Sequence, residues 1–140
     1  MIDATIARLR AEVPALKLVG GAADFQTAVE RNPTVTPAAF VFPLEESPGE
    51  NQMGNVVIQR VVAGVGIAFV VKNVSDVTGD AARQDLIELR QAVKERLLGW
   101  SPAAGHDPYE RGNSGLLAFR DGHMWWQDVY RTAYFDRSIL

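Results

Sequence analysis

Apolar positions at helical spacing open the chain. Ile2, Ile6, Leu9 and Val13 fall on one side of a helix over residues 2–13, with Arg8, Arg10 and Glu12 on the other. Asp3 in the first turn suits the positive end of the helix dipole, and Pro14 ends the run. Leu16, Leu18 and Val19 then predict a short extended piece that stops at Gly20-Gly21. A second, short helix follows, capped by Asp24, with Phe25, Ala28 and Val29 facing inward and Asn32-Pro33 closing it. Residues 38–44 (AAFVFPL) are β-prone, although Pro43 has no N–H for a ladder and so belongs at a strand end or an edge. Residues 45–55 (EESPGENQMGN) read as a long polar loop rich in turn formers.

The apolar run at residues 56–71 (VVIQRVVAGVGIAFVV) is long for one strand. It fits either a single strand bent at Gly64 and Gly66 or two segments with a bulge between them; the long bent strand, paired antiparallel with 38–44, is the expectation. Residues 73–79 form a turn. Thr78 or Asp80 then caps a helix over 80–98, whose stripe is Ala82, Leu86, Leu89, Val93 and Leu97, widened by Ile87 and Leu98. Gly99 and Pro102 stop it, and residues 101–115 form a second loop. The chain closes on a hairpin over 116–135, turning at Asp121-Gly122, where both residues tolerate positive φ. Its second strand puts Trp126, Asp128, Tyr130, Thr132 and Tyr134 on one face, and Trp125, Gln127, Val129, Arg131, Ala133 and Phe135 on the other. Large aromatics on both faces predict a strand covered on two sides.

The order helix, helix, strand, strand, helix, strand, strand predicts an α+β single domain. A mostly antiparallel, mixed sheet would carry the long helix and the N-terminal helices packed against it. At 140 residues the chain can bury about two-thirds of its unfolded surface around one core.

Composition narrows the function classes. A formal charge of −3 with no basic run argues against nucleic acid as a direct ligand, because phosphate contacts need clustered Lys and Arg. The absence of cysteine removes thiol catalysis, disulfides and thiolate metal sites. The first residues lack the continuous apolar core of a signal peptide, and no apolar stretch approaches the ~20 residues of a membrane helix. A soluble protein of the cytoplasm is the expectation.

Candidate chemistry is sparse. Gly64-Val65-Gly66 is followed by more strand rather than by a helix and a Lys-Ser/Thr pair, so a bend outweighs a phosphate loop. His106, Asp107 and Glu110 could offer metal ligands, yet three or four ligands on rigid elements are needed, and His123 stands apart beside the hairpin turn. Ser47, Ser75, Ser101, Ser114 and Ser138 all lie outside any nucleophile elbow, with few histidines to activate them. No catalytic constellation emerges. Trp125-Trp126 admits two readings: one ring in the core under the main helix with its neighbour on the opposite face, or an outward ring anchoring a subunit interface. The 45–55 loop is longer than a hairpin connection needs and could reach over a neighbouring subunit.

Four segments fall in an ordered pattern: MIDATIARLRAEVPALKLVGGAADF, PAAFVFPLEESPGENQMGNVVIQRV, GDAARQDLIELRQAVKERLLGWSP and GLLAFRDGHMWWQDVYRTAYF. Together they resemble the tail terminator proteins of tailed bacteriophages and prophages, over nearly the whole chain. FVFPLEESPGEN, LLGWSP and WWQDVYRTAYF are the best marks, and their order says more than any one alone.

The resemblance implies a non-enzymatic small α/β subunit without cofactor. Such subunits form a homo-hexameric ring on the last ring of the tail tube, stop its growth, and offer the face to which the head is joined. Implied partners are the tail tube protein, the neck or connector protein and the tail sheath; DNA only passes through the lumen, and no membrane is involved. The implied place is the tail–neck junction of the virion, after assembly in the host cytoplasm. Combined with the polar loop and the aromatic strand, this places the expected subunit or tube interface on Glu45, Glu46, Glu50, Asn51, Trp126, Tyr130 and Arg131. Two other readings stand beside it: a head–tail joining or neck subunit without length control, and a small-ligand or enzymatic domain.

Overall fold

The chain runs α1 (Ile2–Glu12), β1 (Leu18–Gly20), α2 (Ala22–Glu30), β2 (Ala38–Pro48), β3 (Ile58–Lys72), α3 (Asp80–Leu97), β4 (Glu110–Arg120) and β5 (His123–Arg137). The computed structural model describes residues 1–72 and 78–139. The expected turn at 73–79, and with it Ser75, therefore lies mostly outside the described residues. One sheet carries all five strands in the order β1-β2-β3-β5-β4. Only β1 and β2 are parallel; β2–β3, β3–β5 and β4–β5 are antiparallel, so the sheet is mixed and mostly antiparallel, as the periodicity predicts.

Period-two alternation decides which helix meets which face. Val65, Ile67, Phe69 and Val71 of β3 join Ala39, Val41 and Tyr130 beneath α1 and α3, whose stripes supply Leu9, Val13, Ala82, Leu86, Leu89, Val93 and Leu97. The alternate residues Ala38, Phe40, Phe42, Ala68, Val70 and Trp125 form a second cluster with Ala28 of α2. The aromatic strand is thus covered on both sides at this end. Trp125 is buried under α2, while Trp126 is half-buried and packs on the α3 side. The adjacent tryptophans serve opposite layers. Asn32 Oδ1 accepts from the Trp125 indole N–H at 3.0 Å and from Arg120 Nε at 3.3 Å, tying the hairpin to the end of α2.

Several expectations need correction. The 45–55 loop is shorter than predicted, because β2 continues through Glu45 and Glu46 to Pro48 despite its two prolines. The register explains this: β1 reaches only as far as Phe40, so Pro43 lies where no outer strand asks for its missing N–H. The 101–115 loop is shorter too, since β4 begins at Glu110 and absorbs two irregularities, at 111/114 and 116/118. β3 is one long strand, as expected, but runs uninterrupted past its glycines; the bulge lies opposite, in β2 between Pro43 and Glu46. Asp24 acts from the third helical position, its carboxylate accepting the Gly21 N–H at 3.0 Å, with Gly21 as the N-cap. Gly79, at φ +85°, is the N-cap of α3. Ile87 and Leu98 are about half exposed and do not widen the buried stripe.

Candidate functional site

Beyond the helices the sheet continues as a three-stranded arm made from the far half of β2, the first half of β3 and the last half of β5. Glu46 pairs with Ala63 and Val61 with Tyr134, and the ladder runs on to Ile58 opposite Arg137. Four of the residues expected at an interface stand on this arm or its tip. Glu45, Glu46, Glu50 and Asn51 are all exposed. Glu45 occupies the β2 bulge, and Glu46 Oε1 accepts a 2.7 Å hydrogen bond from the Tyr134 hydroxyl. That bond, with burial and the charges of Glu46 and Asp136 adding, pushes the Tyr134 phenol up to about 12. Asn51 shapes the tip: Nδ2 donates to the Met53 and Val56 carbonyls, and Oδ1 accepts from the Met53 and Ile58 amides. Glu50 follows Gly49, whose N–H donates to Arg60 O at 2.8 Å.

The other three expected residues are placed differently. Arg131 is half-buried on β5, its guanidinium lying against Gly112 of β4, where a Cβ would collide with it. Trp126 packs against the core, its indole N–H donating to Asp128 Oδ1 at 3.0 Å under the Arg90 guanidinium. Tyr130 has no exposed surface in the subunit; its ring lies edge-on to Tyr109 beneath α3. Within the subunit it is a core residue rather than an exposed one. Alternation alone gives the face, and the helix that covers it decides exposure.

Two features escape the sequence pattern. The first is a charged cluster under α3. Asp128 is 1% exposed, and Arg90 clamps it with Nε at 2.9 and 3.1 Å and Nη2 at 2.9 Å. Arg111 adds a longer contact at 3.5 Å and reaches Ser114 Oγ at 3.1 Å. An acid sharing a face with Trp126 and Tyr130 is the available signal, since a buried carboxylate requires cations. The second is the outer edge of β4, beside which no strand lies among the described residues. Leu116, Leu117 and Phe119 are each more than 40% exposed there. β5, in contrast, is paired on both sides, with β3 and β4.

The residues considered for metal or nucleophilic chemistry do not converge. His106 stacks near Tyr134, Asp107 ion-pairs with Arg60 at 2.7 Å, Glu110 begins β4, and His123 binds the Asp121 carbonyl through Nδ1. Among the described residues no group of three His, Asp or Glu side chains comes together. Ser114 is engaged by arginines, and Ser138 accepts the Val57 amide across the arm. No helix among the described residues is long and apolar enough to cross a membrane.

What stands out is a sheet with helices on both faces, a polar arm on one side and an open apolar strand edge on the other. Such an arrangement suits protein assembly. Comparison with curated proteins finds no match. The family model for the phage tail terminator protein, in contrast, matches residues 2–138, nearly the full length and every element of the fold, so the chain belongs to the phage tail terminator family.

Proposed function

We propose that this chain is the subunit of a hexameric ring that caps the head-proximal end of a phage tail tube. The ring stops tube polymerisation and presents the surface for head–tail joining. The family match over residues 2–138 carries the reading. Partners on the two faces are the tube protein below and the neck or connector protein above, with the sheath outside where the tail has one. The protein acts at the tail–neck junction of the virion, after assembly in the host cytoplasm, and needs no catalysis.

The fold supports a head-to-tail ring, which requires two different complementary patches on each subunit. The sheet offers open backbone at opposite sides. On one side is β4; on the other, β2 from Val41 to Pro48, which β1 does not reach. Strand addition between β4 of one subunit and the β2 arm of the next would join them through main-chain hydrogen bonds. Leu116, Leu117 and Phe119 would add apolar contact, and Glu45, Glu46, Glu50, Asn51 and Arg131 would set register and orientation. Acidic groups facing the lumen would keep passing DNA from adhering to the wall.

Electron microscopy of particles from a phage with this gene disrupted tests the reading. Overlong, headless tails are expected. Tails of normal length beside unattached full heads would make the protein a joining subunit and remove length control from its role.

A further inference from the structure

Beside the Asp128 cluster lies a cavity of about 130 Å³ lined by Ile87, Arg90, Gln91, Lys94, Arg111, Asp128 and Tyr130. Three cationic side chains surround it against one carboxylate. Arg90 spends its charge on Asp128 in three hydrogen bonds. Lys94 makes no ion pair with a described residue, and Arg111 only touches Asp128 at 3.5 Å. Two polar atoms here are buried with no partner among the described residues: the Tyr130 hydroxyl and Arg111 Nε. Buried polar groups in folded proteins are nearly always paired, so two orphans on residues that line one cavity mark a place built to hold something. Water would satisfy the hydrogen bonds but leave three cations facing one carboxylate, an excess positive charge balanced by solvent alone.

We propose that this pocket binds one small oxyanion, a carboxylate or an inorganic anion of phosphate type. Lys94 and Arg111 supply charge, the Tyr130 hydroxyl and Arg111 Nε supply the unpaired donors, and Arg90 and Asp128 form the fixed floor. Arginine's planar fork suits this task, and charge-assisted donors strengthen in a partly desolvated site. The ligand has two sources of the same chemistry: a free ion, or the acidic side chain of an adjoining protein in the particle. The pocket itself does not depend on the proposed ring.

Titration of the full chain with inorganic phosphate, and separately with acetate, at constant ionic strength tests the site. Tryptophan fluorescence reads it, because Trp126 donates to Asp128 and stacks under Arg90. Saturable binding of at least one probe is expected, with half-saturation about tenfold weaker in Lys94→Met, the size of one lost charge-assisted bond. Tyr130→Phe should weaken it severalfold without lowering the melting temperature in anion-free buffer. A linear response to salt, or equal responses from the wild type and Lys94→Met, would show a water-filled cavity and overturn the proposal. Phosphate that dissociates assembled wild-type protein would identify a neighbour's carboxylate as the resident ligand. Phosphate that leaves the assembly intact while saturating the site would identify a free ion.

Discussion

At the scale of single residues, the energetics concentrate on Asp128. A carboxylate this deep is tolerable only because a guanidinium lies in bidentate contact with it, and an Arg–carboxylate fork is the strongest pairing available to side chains. Arg90→Met would leave the charge with the 3.5 Å contact to Arg111 and the Trp126 indole donor. The expected cost is about 2–3 kcal/mol in urea unfolding, below the full penalty for an unpaired buried ion because those two donors remain. A loss under about 0.5 kcal/mol would mean that Arg90 is no clamp. The tyrosines give a second readout. Burial raises Tyr109, against a smaller opposing effect of its hydrogen bond with Thr5. Burial, together with the Asp128 charge and against the two arginines, raises Tyr130 to about 12. The Glu46 bond raises Tyr134 to about 12 as well. In an ultraviolet titration of the folded chain all three tyrosines should therefore ionise above the free value, Tyr130 and Tyr134 near 12. The unfolded chain releases those protons near 10, so folding retains protons there and stability falls as pH rises from about 10 through about 12. Tyr130→Phe should shallow that fall; an unchanged slope would place the linkage elsewhere.

At the scale of elements, β3 shows how far a pattern can be read. Its length, its pairing with β2 and its antiparallel sense are legible because a nearly continuous apolar run over fifteen residues, preceded by another β-prone run, leaves few other choices. The reason for its glycines is not. At Gly66 a Cβ would lie 2.6 Å from the Phe42 ring, so the glycine makes room for an aromatic on the neighbouring strand. A local signal reports that something is unusual there, but only the cross-strand register names Phe42 as the cause. Gly66→Ala is expected to destabilise by about 1–3 kcal/mol through overpacking, and Phe42→Leu in the same chain should relieve part of that cost. Additive losses in the double-mutant cycle would deny the contact. The hairpin turn is fully legible, with Asp121 and Gly122 at φ +49° and +72°. The strand ends are not. β2 and β4 continue into polar residues that read as loop, because pairing with a long neighbour overrides local preference for the loop state. The candidate site divides the same way. Glu45, Glu46, Glu50 and Asn51 are exposed as their composition implies, whereas Tyr130 is hidden by a helix that is distant in sequence.

At the scale of the whole molecule, the open edges are the feature that most needs a reason. Isolated proteins usually blunt such edges with charge, proline or a covering element, and β2 beyond Phe40 does carry Pro43 and Pro48. The β4 edge is different. Its bulges shift register, yet Leu116, Leu117 and Phe119 remain exposed along it. A chain with that strand free in solution would risk uncontrolled pairing, whereas in a closed ring each such edge is consumed by the next subunit. Leu117 is the residue to test, since it falls between the paired positions Leu116 and Ala118 and is about half exposed. Leu117→Lys should change subunit stability by less than about 0.5 kcal/mol, the usual range for a surface substitution. If β4 is a ring junction, the same change should leave a folded monomer by sedimentation and yield overlong tails in a phage carrying it. A Leu117→Lys variant that still forms rings would move the junction away from β4 and leave the arm, with Glu45, Glu46 and Glu50, as the surface to alter next.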